Sequence, residues 1–491
     1  AVMGGVTGVF EMPNTNPLTT TRERFEEKIR LGTRRMHCDF AFYVGGTHDN
    51  VADLPDLERL PGCAGVKVFM GSSTGSLLVP DDSGVEAILS AISRRAAFHS
   101  EDEYRLEDRK HLRVPGEPSS HPVWRDPETA LRSTRRLVSL ARKTGKRIHV
   151  LHISTADEMV FLAAHKDVAS VEVTPHHLTL DETAYTRLGT YAQMNPPVRD
   201  KAHREGIWAG VHNGVADILG SDHAPHTREE KDHAYPASHS GMTGVQTLVP
   251  IMLDHVNAGR MSLERFVDMT SHGPNRLFGI AGKGRIAVGY DADLTIVDLK
   301  RTETITDEWV KSRAGWTPYH GVSVTGWPVG TIGDVAGRTG DAGRGTTDAV
   351  PGGAVGTRLP SPFEGRGGGP SAIAGLPPPS VPPLRGAGGA GIRQLLQRPP
   401  QRVVARLDAF GQARNQFGHR RLAVVVDQRG DGGEQRGMGE RQRGDAVILG
   451  VVPGPGDIFE RHLPLFAVGI RHRLEAGPGP EGLGEFHEHR R

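Results

Sequence analysis

Cysteine is nearly absent. The 491 residues hold two, Cys38 and Cys63, neither in a CxxC or other metal-spaced pattern. That excludes a disulfide framework and fits a reducing, cytoplasmic setting. Net charge is missing too: Lys+Arg 59 against Asp+Glu 58 leaves +1, so the whole-chain balance gives no pull toward nucleic acid or an anionic membrane. No apolar run approaches the roughly 20 residues needed to span a bilayer, and the N-terminus lacks the basic-then-apolar profile of a signal peptide. No nucleic-acid or membrane partner is therefore expected, and self-association into a homo-oligomer is left open.

What is present falls into three compositional zones. From 1 to 281, apolar strand candidates alternate with helical stretches: "GVTGVFEM", "CDFAFYVGG", "AGVKVFMG", "RAAFHSE", "KRIHVLHIS", "ASVEVTPHH" and "ADILGSDH". Between them lie amphipathic runs such as "DPETALRSTRRLVSLARKTG", 126–145, with apolar positions every three or four residues. Continuous Val/Ile/Phe-rich strands alternating with helices predict a parallel sheet covered on both faces, and repeated βα units of this size predict a TIM barrel. Seven strands are legible where a closed barrel has eight. With the abrupt start "AVMGGVTGVFEM", the expectation is a barrel lacking its first strand. The second zone, 282–331, carries "GKGRIAVGYDADLTIVDL", whose Gly-rich turns and alternating apolar residues suggest a small β element. The third, 332–491, has no lysine, tryptophan, tyrosine or cysteine and holds roughly half of the 63 glycines. Such Arg/Gly/Pro-rich composition cannot bury enough apolar surface to offset chain entropy. It reads as a disordered tail or, preferred here, as out-of-frame translation of a GC-rich gene; no chemistry is assigned to it.

In a TIM barrel the active site lies at the C-terminal ends of the strands. Four of the seven legible strands end in groups able to share such a site: Lys67 in "GVKVFMG", His99 in "AAFHSEDE", His152 in "HVLHIST" and Asp222 in "GSDHAPH". Singly each is weak, since a lone strand histidine is more often structural than a ligand. Lys67 between Val66, Val68 and Phe69 is harder to dismiss, because an inward ammonium is costly without a partner. Together the four predict a metal centre. Strand alternation in "RIHVLHIS" puts Ile148, Val150 and His152 on one face and His149 and Leu151 on the other. His152 is chosen for the mouth, leaving His149 packed against a helix. Glu101 and Glu103 read as exposed charges at a helix start.

"EMPNTNP", "GVKVFMGSSTG", "FHSEDE", "HVLHIST", "EVTPHHL", "MNPPVR" and "GSDHAPHT" occur in this order, and as a set they resemble the dihydroorotases of the amidohydrolase superfamily, over 1–331. The resemblance implies a TIM barrel with a small β-sandwich remnant and a two-zinc centre. In it Lys67 would be carboxylated by carbon dioxide and bridge both ions, His99 and His152 would bind one zinc, and Asp222 would bind the other and shuttle the proton. It also implies that Asn14, Asn195 and His226 hold the substrate, although Asn14 and Asn195, beside prolines, could equally build turns. His176, His177 and His223 are left as supporting residues. The implied reaction interconverts dihydroorotate and N-carbamoyl-aspartate in pyrimidine synthesis.

The chain departs from that pattern at one point. The family's first strand ends in a His-x-His pair followed by an arginine, and the sole His-x-His here, His487 to His489, sits in the anomalous tail. The expectation is therefore a fragment of a dihydroorotase with little or no activity. The alternatives are a dihydropyrimidinase (hydantoinase) or allantoinase, which share the metal site, and a non-catalytic barrel scaffolding aspartate carbamoyltransferase.

Overall fold

The computed structural model describes residues 1–72 and 77–333, together with the backbone of two short strands, Val355–Gly356 and Ala446–Leu449. The remainder of the 332–491 zone, His487 and His489 included, lies outside the described residues. Among the described residues no helix is long and apolar enough to cross a membrane.

Seven strands form one sheet in chain order: β1 (Gly8–Glu11), β2 (Asp39–Gly45), β3 (Cys63–Phe69), β4 (Ala96–His99), β5 (Ile148–Val150), β6 (Ala169–Val173) and β7 (Ile218–Leu219). Every adjacent pair is parallel. This is the curled sheet of a TIM-type barrel, and among the described residues no pairing joins β7 back to β1. The connecting helices include α1 (Arg22–Gly32), α2 (Asp82–Ala91), α3 (Pro127–Thr144), α4 (Ala156–Ala163), α5 (Lys201–His212) and α6 (Leu248–Asn257).

Local chemistry explains the helix ends. Asp126 caps α3 by accepting from the Thr129 N–H, Pro127 opens the first turn, and Gly145 closes it at φ 67°. Thr155 caps α4 and Asp200 caps α5 in the same way.

Alternation along the strands divides the sheet into two faces. Phe40, Phe42, Val66, Val68, Phe98, Ile148, Val150, Val171 and Val173 pack outward against Val85, Ile88, Leu137, Ala141, Leu162, Ile207 and Trp208 of the helices. Inside, Ala41, Tyr43, Ala64, Ala97 and Leu151 meet Phe10, Met12 and Phe278. The inner layer is narrow and built largely of alanines, leaving the mouth to polar groups.

Two longer strands, β8 (Leu294–Thr304) and β9 (Ser323–Ile332), pair antiparallel beyond the seven-stranded sheet. Val355–Gly356 adds to β9 and Ala446–Leu449 to β8. Lys283 ties this unit to the sheet by pairing with Asp39 at the start of β2 as well as with Asp293 and, at 3.0 Å, Asp291.

Candidate metal centre

Lys67 reaches the lumen because β3 carries one extra residue. Opposite β2, Phe42 pairs with Cys63 and Tyr43 with Gly65, so Ala64 is bulged. Gly65 takes φ 141°, a conformation side chains rarely adopt. The phase of the strand shifts there: Ala64 faces inward, yet Val66 and Val68 face the helices. Lys67 is 1% exposed. Its Nζ donates to the Val68 carbonyl at 3.3 Å and sits 4.0 Å from the Phe69 ring centroid. Burial pushes its pKa well down, against the pull of Asp222 and Glu172. Burial thus disfavours the charged form of the amine.

His99 and His152 converge on the same spot. His99 Nδ1 stands 3.2 Å from His152 Nε2, and the His152 Nδ1 is buried with no hydrogen-bond partner. Burial brings His99 down to about 4 and pushes His152 well down; each also feels Lys67. Two neutral imidazoles with converging nitrogens are a donor set for a cation. Asp222 lies close enough to Lys67 for each to shift the other. Burial and the Glu172 carboxylate push Asp222 up to about 7, opposed by Lys67.

His152 and Asp222 share a backbone peculiarity. The only non-glycine residues with positive φ among the described ones are Arg34, His152 (φ 38°) and Asp222 (φ 41°). Left-handed backbone at non-glycine residues is costly and gathers at functional sites. It also corrects the alternation argument for β5. The strand ends at Val150, and His149, rather than packing on a helix, points into the lumen with Leu151. There it meets Phe278, Ser170 at 2.9 Å and Glu172 at 3.4 Å. His152 enters the mouth because its main chain turns, not because it keeps step with Ile148 and Val150.

The remaining sequence candidates lie around this core. Asn195 Oδ1 accepts from His121 Nε2 at 2.9 Å. His226 Nδ1 is 3.3 Å from Glu230, and its ring lies against His239. Asn14, half-buried, follows β1 by three residues. His177 lies near His152 and is held by Thr174 and the Pro196 carbonyl; His176 bonds Tyr319.

Several groups escaped sequence reasoning. Glu101 and Glu103 are buried rather than exposed: Glu101 accepts from His99 and Arg125, and Glu103 accepts from Ser72. Both bend inward because partners at distant positions, Ser72 and Arg125, wait for them. Glu172 projects from β6 toward Lys67, Asp222 and His149. A lone acid between Val171 and Val173 in a buried strand was the signal that could have found it.

Among the described residues no three His, Cys, Asp or Glu side chains close into a cage. The donors stand as a histidine pair with an amine and one carboxylate facing it. An anionic group on Lys67 would add the oxygens that this set lacks, so the residues fit a carboxylated lysine and zinc.

A model of the amidohydrolase family matches residues 1–334. The dihydroorotase of Methanosarcina mazei is 34% identical over 336 residues, covering 66% of this chain and 74% of its own length. The L-hydantoinase of Paenarthrobacter aurescens is 33% identical over 354 residues, 68% and 76% of the two chains. Among solved structures, the L-hydantoinase (dihydropyrimidinase) from Arthrobacter aurescens superposes with a TM-score of 0.65 at 29% identity, over 68% of this chain and 77% of that one.

Proposed function

The chain belongs to the amidohydrolase family, and from that premise we propose that it is a zinc-dependent cyclic amide hydrolase acting on dihydroorotate. The observation that carries the reading is the meeting of Lys67, His99, His152 and Asp222 from four strand ends at one mouth. Preference for dihydroorotate over other cyclic amides is supported by the run of archaeal dihydroorotases near 34% identity.

Lys67 in its neutral form adds carbon dioxide: the amine lone pair forms the C–N bond of a carbamate, and one proton leaves. The resulting anion, His99 and His152 would hold one zinc, with Asp222 and the same carbamate toward a second. Zinc, when bound, supplies Lewis acidity and lowers the pKa of its water to about 7. Asp222 takes the proton of the attacking water and returns it to the departing ring nitrogen, since one carboxylate in reach of both atoms serves as base and then acid. Asn14, Asn195 and His226 orient the substrate's ring amides and carboxylate.

The test is ring opening of dihydroorotate by the full chain in zinc and bicarbonate, followed by loss of ultraviolet absorbance. Turnover that disappears in K67M supports the assignment. Zinc binding that is unchanged in K67M, H99Q and H152Q would overturn it. The second reading, hydantoin as substrate, is favoured by the solved L-hydantoinase neighbour, and a faster rate on hydantoin than on dihydroorotate would establish it.

A further inference from the structure

We propose that Glu101, with Arg125 behind it, is a positioning residue that fixes which ring nitrogen of His99 faces the centre; this rests on the metal-centre reading above. Glu101 is wholly buried and Arg125 is 1% exposed. Taking such a pair out of water is expensive, and attraction alone often fails to recover the cost. The geometry shows what is gained. Glu101 Oε2 faces His99 Nε2 at 2.9 Å. A carboxylate can only accept, so Nε2 carries the hydrogen and the lone pair falls on Nδ1. That atom is the one standing 3.2 Å from His152 Nε2. The two rings converge because the carboxylate behind His99 leaves only one tautomer.

The carboxylate is itself clamped. Arg125 Nε donates to both Glu101 oxygens at 3.1 Å, and Nη2 donates at 2.5 Å to Oε2 and at 2.5 Å to the Ser72 carbonyl. The Arg125 carbonyl accepts from Arg199 Nη1 at 2.8 Å. On the other side, a Cβ at Gly71 would lie 2.6 Å from the Glu101 carbonyl oxygen and 2.8 Å from its Cβ. The exit of β3 is thus packed directly on the Glu101 main chain and Cβ. A partner that orients a ligand histidine and raises its basicity is worth about 10–100-fold in metal affinity.

The test uses the metal-free full chain labelled with 15N-histidine, with His99 assigned by its loss in H99Q. Long-range 1H–15N correlation reads the tautomer of each ring, and competition with a chromophoric chelator reads zinc affinity. Wild type is expected to show His99 as the Nε2–H form. E101M/R125M removes both buried charges together, so neither is left unpaired, and its zinc affinity is expected to fall about 10–100-fold. E101Q, which keeps an acceptor, should lose less. An Nδ1–H form of His99 in wild type, or wild-type affinity in the double variant, overturns the proposal. The wild-type spectrum decides even if the double variant does not fold. If wild type binds no zinc yet shows the Nε2–H form, the metal-centre reading fails while the positioning role of Glu101 stands.

Discussion

Two lysines, one buried and one half-buried, show how differently the mouth of the sheet and its base treat an amine. Lys283, where the base meets β8, is surrounded by Asp39, Asp291 and Asp293, and these partners outweigh burial and raise its pKa. Lys67 at the mouth has one carbonyl contact, and burial outweighs its carboxylate neighbours and lowers its pKa. The base spends its charges on holding parts together. At the mouth, the protein leaves an amine underused and two histidine nitrogens converging on each other. A group satisfied three times over has nothing left to react with, whereas a desolvated, poorly paired nucleophile has.

The largest effect expected from breaking this contrast is at Lys67. K67M should lower dihydroorotate turnover on the order of 10³-fold or more, since the transition state loses metal-borne stabilisation. It should also raise stability by about 1 kcal/mol, because an apolar chain suits the site better than a desolvated amine. Steady-state kinetics and thermal denaturation of one preparation check both halves; a loss of stability would contradict the contrast. K283M should do the reverse, leaving three carboxylates without their cation. The expected cost is about 2–3 kcal/mol, measured by urea denaturation, with zinc stoichiometry unchanged.

In the helical layer, G206A should cost about 1–3 kcal/mol through overpacking, because a Cβ there would lie 2.2 Å from the Ala156 Cβ where α5 crosses α4. Zinc affinity should again be unmoved. The smallest effect concerns Glu158 on α4, which accepts from Thr134 and Thr155. Burial raises its pKa to about 6. Its folded value therefore exceeds the unfolded one near 4.5, and the folded state binds the proton more tightly. This group's penalty is full above about pH 6 and disappears as pH falls below about 4.5. E158Q should thus stabilise by about 1–2 kcal/mol at pH 7, with the gain shrinking toward pH 4.5 in a series of urea titrations.

The sequence made the seven strands legible because each is a short, nearly continuous apolar run bounded by turn residues, and helix α3 because Asp126, Pro127 and Gly145 mark its ends. It also revealed Lys67, since an amine among valines has no bland explanation. What stayed hidden depended on distant partners or on backbone shape. Glu101 looked like surface charge because Arg125 is twenty-four positions away. His149 was placed on the wrong face because alternation was extended through His152, where the strand has already ended and φ turns positive. Period-2 reasoning fails where a chain leaves its sheet, and in a barrel that is also where the chemistry sits.

The bulge at Gly65 makes the location of the reactive amine a matter of counting. Straighten the strand with Ala64 kept, so that it and not Gly65 sits opposite Tyr43, and Lys67 would emerge among the residues that face α2, with its chemistry intact and its audience gone. Anyone transplanting this constellation into another cylinder would have to carry the register along with the ligand.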